Sequence, residues 1–146
     1  MLKDRAVPGP LLCCHDQAMH DGLDPTDLKN RGFATRLRFA ASGLRLVFRR
    51  EKSFRSQCAC ALAAAAAVAL LRPGLLWGAL IVLSAALVLA LELVNSALEY
   101  LLDHIHPRFA REIAVAKDAA AAAVFLAALA SLLVAALMLI AAASAR

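Results

Sequence analysis

The chain has 146 residues, is 62% hydrophobic, and has a mean hydropathy of +0.71 and a formal net charge of +5. The length allows one domain, and the apolar content excludes an ordinary soluble domain and fits a small membrane protein. Eleven of the sixteen Lys and Arg fall in residues 1–55, ahead of the apolar part. That placement reads as membrane-surface contact and a topology signal. It argues against nucleic-acid binding, because the basic residues share a helix with an apolar face and no nucleic-acid motif accompanies them.

Residues 1–30 hold Pro8, Pro10, Pro25 and five Asp, with no periodicity. They read as a disordered tail without the apolar core of a signal peptide. Cys13-Cys14-His15 lacks the second half of any zinc spacing. Cys58 and Cys60 read as small apolar filler.

Residues 33–49 have helical periodicity. Phe33, Leu37, Ala40, Ala41, Leu44, Val47 and Phe48 share one face, and Arg38, Ser42, Arg45 and Arg49 lie opposite. The pattern predicts a basic amphipathic helix lying in the membrane interface. Three spans are expected after it, at about 54–71, 75–103 and 118–143. Arg72-Pro73-Gly74 breaks the first from the second, and Trp77 fits an interfacial aromatic. Residues 104–116 read as a charged connection, after which Lys117-Asp118 opens the third span. The fold class expected is an all-α membrane protein, with three transmembrane helices behind a surface helix. The positive-inside rule puts the N-terminus and the 104–116 connection in the cytoplasm.

The second span carries the chemistry. Leu75 to Leu91 is free of charge, and the sequence then reads Glu92-Leu-Val-Asn-Ser-Ala-Leu-Glu-Tyr-Leu-Leu-Asp103. On a helix, Glu92, Asn95, Ser96, Glu99 and Asp103 fall within an arc of about 100°. A carboxylate in or near lipid is costly, by ~2.5–3.5 kcal/mol at a helix centre, and is functional by default. Glu51 before the first span and Lys117-Asp118 at the third meet the stripe on the cytoplasmic side. Acids with a lysine facing the cytosol suit a divalent cation and phosphate, since Mg²⁺ takes one or two carboxylates with substrate phosphates and Lys supplies a point charge. No Walker loop or kinase glycine loop is present, so a nucleotide site must be built from helical side chains. The bland alternatives are that Asn95 and Ser96 are interhelical hydrogen-bonding groups, and that Asp103 is a solvated helix end.

The segment from Glu92 to Asp103 resembles the E-x-x-N-[ST]-A-[IL]-E-x-x-x-D signature of the prokaryotic diacylglycerol kinases. Lys117-Asp118, Gly43-Leu44-Arg45 and Glu51-x-x-Phe54-Arg55 resemble further segments of that family, and the resemblance covers about residues 32–143 without insertion. It implies a kinase-like membrane domain over 31–146, and a homotrimer of the bacterial inner membrane with shared active sites. It implies phosphorylation of a lipid alcohol, diacylglycerol, by ATP with Mg²⁺. Position by position, Glu92 resembles the catalytic base and Glu51 and Glu99 the metal-bridged nucleotide ligands. Lys117 and Asp118 resemble nucleotide contacts, and Asn95 a supporting polar residue. Phe39 stands near the nucleotide where many members have Tyr, and Ser56-Gln57 where a Gln-Glu pair is common. Two alternatives stay open: undecaprenol as the acceptor, and a non-catalytic membrane oligomer or cation pathway.

Overall fold

The computed structural model describes residues 32–105 and 110–144. The tail read over residues 1–30, and residues 106–109 of the charged connection, lie outside the described residues. The described residues form four α-helices and no strand: α1 (Phe33–Arg50), α2 (Lys52–Leu71), α3 (Leu75–Ile105) and α4 (Arg111–Ser144). The chain divides into two units, residues 1–40 and 41–146. In the first, the Thr35 and Arg36 amides donate to the Gly32 carbonyl at 3.0 and 3.3 Å, starting α1.

In the second unit α3 is the central helix, packing against α4 and α2. α2, α3 and α4 are each long and apolar enough to cross a membrane. At ~1.5 Å per residue, α3 and α4 run about 46 and 51 Å, longer than a hydrocarbon core of ~30 Å. Apolar length therefore does not set helix length, and the polar ends continue as helix. This explains where α4 begins. The connection expected over 104–116 is helical from Arg111 onward, because residues 111–117 contain no Pro or Gly to stop it. Its first turn closes through the Ala114 amide, which donates to the Ala110 carbonyl at 3.1 Å.

α2 stops where the sequence breaks. Arg72 turns to φ 48, ψ 53, and its amide donates to the Val68 carbonyl, satisfying one orphan acceptor of the last turn. Gly74 follows at φ 101, a conformation open to a residue without Cβ. α3 can then return along α2: a Cβ placed on Gly78 would lie 3.6 Å from the Val68 side chain.

The interior is small. Phe54, Ile81, Val88, Val124 and Met138 are its buried apolar residues in the three long helices. A polar clip joins α3 to α4, where the Ser131 hydroxyl donates to Ser84 at 3.3 Å while Ser84 donates to the Ile81 carbonyl.

Candidate active site

Glu51 stands at the joint between α1 and α2. It is the N-cap of α2, at φ −94 and ψ 116. N-caps are usually Ser, Thr, Asp or Asn, whose short side chains reach back to the helix amides. The Glu51 carboxylate makes no such bond. It accepts instead a 2.6 Å hydrogen bond from the Tyr100 hydroxyl on α3. The joint beneath it is braced. The rings of Phe48 and Phe54 meet edge to face at 6.4 Å, and Arg55 donates to the Arg49 carbonyl at 3.1 Å. Phe54 is fully buried, so the first turn of α2 is anchored where Glu51 leaves it.

The polar stripe of α3 faces inward from Glu92 to Glu99 and not at Asp103. Glu92 and Ser96 are only 4% and 3% exposed, Asn95 and Glu99 are half-buried, and Asp103 is exposed. Asn95 and Glu99 lie one turn apart, and the Asn95 amide donates to Glu99 Oε1 at 2.9 Å. A carboxylate only accepts, so the amide nitrogen must face it. Asn95 Oδ1 is then left buried, with no hydrogen-bond partner among the described residues. The Glu92 carboxylate also has no ion-pair partner among the described residues. Burying a charge without a counter-charge is expensive, so such a group is a poor structural device.

Glu51 and the stripe from Glu92 to Glu99 border one cleft of about 370 Å³, and Asp103 lies outside it. Glu51 lines it from the joint between α1 and α2. Glu92, Asn95, Ser96 and Glu99 form the α3 wall. α4 contributes Val124, Phe125 and two alanines, and α2 contributes Ser53 and Gln57. The cleft thus combines carboxylates from α3 and the α1–α2 joint with apolar side chains from α4.

Lys117 lies outside this cleft wall and forms an ion pair with Asp103 across the α3–α4 end. Asp118 is exposed and also outside it. Phe39 sits in α1 within the first unit. The described residues contain no cluster of three or more His, Cys, Asp or Glu able to hold a metal by itself. Sequence reasoning missed Tyr100, Ser53 and Gln57 as parts of the site. Tyr100 had a readable signal, because it is the only tyrosine in the chain and follows Glu99 on the flank of the stripe.

Fold and site thus define a helical membrane protein with three carboxylates, Glu51, Glu92 and Glu99, lining one cleft. The family model described as prokaryotic diacylglycerol kinase matches residues 38–139, and the chain belongs to this family of lipid kinases. No curated protein matches the chain.

Proposed function

We propose that this lipid kinase transfers the γ-phosphoryl group of ATP to diacylglycerol, forming phosphatidate at the cytoplasmic face of the bacterial inner membrane, as a homotrimer with shared sites. The observation that carries the reading is the meeting of Glu51, Glu92 and Glu99 on one cleft, in a chain of this family. α1, with its basic last turn of Arg49 and Arg50, lies on the membrane surface in this reading.

Glu92 is the base. It takes the proton of the acceptor hydroxyl as that oxygen attacks the γ-phosphorus, and the bond to the bridging oxygen breaks with its electron pair leaving on ADP. Glu99 lies ~10 Å further along α3, at ~1.5 Å per residue, which separates a lipid end of the cleft from a nucleotide end. Mg²⁺ fits the donors present, because it uses one or two protein carboxylates and takes its remaining ligands from phosphate and water. Glu51 and Glu99 would hold it, each keeping one oxygen bonded to a neutral donor. Bound there, it would neutralise charge on the transferring phosphoryl group. Lys117 supplies a point charge to the phosphates after exchanging Asp103 for the nucleotide. Asp118 and Asn95 complete the nucleotide surroundings.

The test is transfer of labelled phosphate from ATP to diacylglycerol by the purified protein in mixed micelles, beside undecaprenol under the same conditions. Faster transfer to diacylglycerol is expected. Transfer confined to undecaprenol would reassign the acceptor. No transfer to any lipid alcohol, with cation flux through liposomes in the absence of ATP, would overturn the kinase reading in favour of a pore.

A further inference from the structure

The bond between Tyr100 and Glu51 joins residues 49 positions apart and ties the N-cap of α2 to the polar end of α3. Three observations give it a use. Glu51 is a helix N-cap whose carboxylate ignores its own helix, so Tyr100, rather than backbone capping, fixes its direction. Tyr100 is adjacent to Glu99, so the residue that holds Glu51 is carried on the same turn of α3 as the second carboxylate of the cleft. Glu99 is in turn held by the Asn95 amide.

Both holding groups are neutral. A Lys or Arg in either place would cancel the charge that attracts a cation, whereas a phenol or an amide orients the carboxylate and leaves its charge intact. Lys117, outside the cleft wall, pairs with Asp103 and with neither of these carboxylates. Each carboxylate keeps a second oxygen for a ligand. Partners that orient metal-ligating carboxylates control affinity nearly as strongly as the ligands themselves.

We propose that Tyr100 is a positioning residue for the divalent-cation end of the cleft: its hydroxyl holds the Glu51 carboxylate in register with Glu99 for a cation carried by the nucleotide. This rests on the assignment of Glu51 and Glu99 as cation ligands. Tyr100 touches neither substrate nor cation, and acts through Glu51 alone.

The experiment compares the full-length wild type with Tyr100→Phe and Glu51→Gln in mixed micelles. Mn²⁺ binding in the presence of a non-hydrolysable ATP analogue is read by electron paramagnetic resonance, and the KM for the lipid acceptor is measured in parallel. Tyr100→Phe removes one oxygen and keeps the ring, and its thermal unfolding is expected to match the wild type. The expected result is a loss of Mn²⁺ affinity of about tenfold or more, within the ~10–100-fold usual for such orienting partners, with the lipid KM unchanged. Glu51→Gln should weaken Mn²⁺ binding further, and adding Tyr100→Phe to it should change nothing more. Wild-type Mn²⁺ affinity in Tyr100→Phe, with loss in Glu51→Gln, would overturn the positioning role alone. Wild-type affinity in both would overturn the cation-site assignment and the positioning role with it. A parallel rise in lipid KM in Tyr100→Phe would show a general disturbance of α3 and also overturn the proposal.

Discussion

At the residue scale, Glu92 combines the strongest burial among the acids with the absence of any ion-pair partner among the described residues. A group in that position contributes nothing to cohesion that an apolar residue would not contribute better. Replacing it should therefore harm turnover and spare the fold. Glu92→Gln is expected to lower kcat by about 10²–10⁴-fold, the usual range for loss of a general base. ATP-analogue binding and the thermal unfolding midpoint should stay near wild type. Near-normal kcat in this variant would remove Glu92 from the base role. Glu99→Gln should behave differently. The Mg²⁺ concentration for half-maximal activity is expected to rise at least about tenfold, because the change removes a charged ligand while keeping the side-chain shape. A titration of activity against free Mg²⁺ at saturating ATP checks this.

At the element scale, the joints rather than the helices decide where these residues meet. Arg72 and Gly74 both adopt positive φ between α2 and α3, at 48° and 101°. A Cβ on Gly74 would meet nothing within 4 Å, so space does not oppose a side chain there and the backbone conformation does. Gly74→Ala is expected to lower stability by roughly 1–2 kcal/mol, the cost of forcing an L-residue into that region, as read from denaturant unfolding in detergent. Gly78 presents the opposite case. Its Cβ position is in ordinary contact with Val68, so Gly78→Ala should be tolerated, and the gain in helix propensity, about 0.8–1.0 kcal/mol, works in its favour. Gly78→Leu should push α3 away from α2, with loss of both stability and activity. Equal unfolding of the Ala and Leu variants would contradict this packing.

At the scale of the whole molecule, the apolar surface is far larger than the interior. The buried share of the spanning windows is 6% in α2, 17% in α3 and 11% in α4. Leu62, Leu70, Leu75 and Leu126 are among many large apolar side chains left exposed. Water would not tolerate such a surface, and lipid or further copies of the chain must cover it. The alanine-rich faces of α2 and α4 suit close helix approach in lipid, where small residues let backbones come together. A trimer mass for the protein component in detergent, by light scattering after size exclusion, is the expected outcome; a monomer mass with full activity would rule out shared sites.

The sequence by itself determined what depends on neighbours along the chain. Helical periodicity put Glu92, Asn95, Ser96 and Glu99 on one face, and all four border the cleft, because a helix fixes angular positions from spacing alone. Apolar length marked the three long helices, and Arg72-Pro73-Gly74 marked the break between two of them. The start of α4 was less legible, since a membrane boundary and a helix boundary are set by different physics: the first by transfer from water, the second by backbone hydrogen bonding. Only the tertiary structure decided the pairings across helices. The sequence brought Glu51 to the right end of α2 but could not show that its carboxylate turns to Tyr100, nor that Lys117 is held by Asp103. Those contacts depend on how α3 lies against α2 and α4, which packing between residues distant along the chain decides and local backbone preference does not.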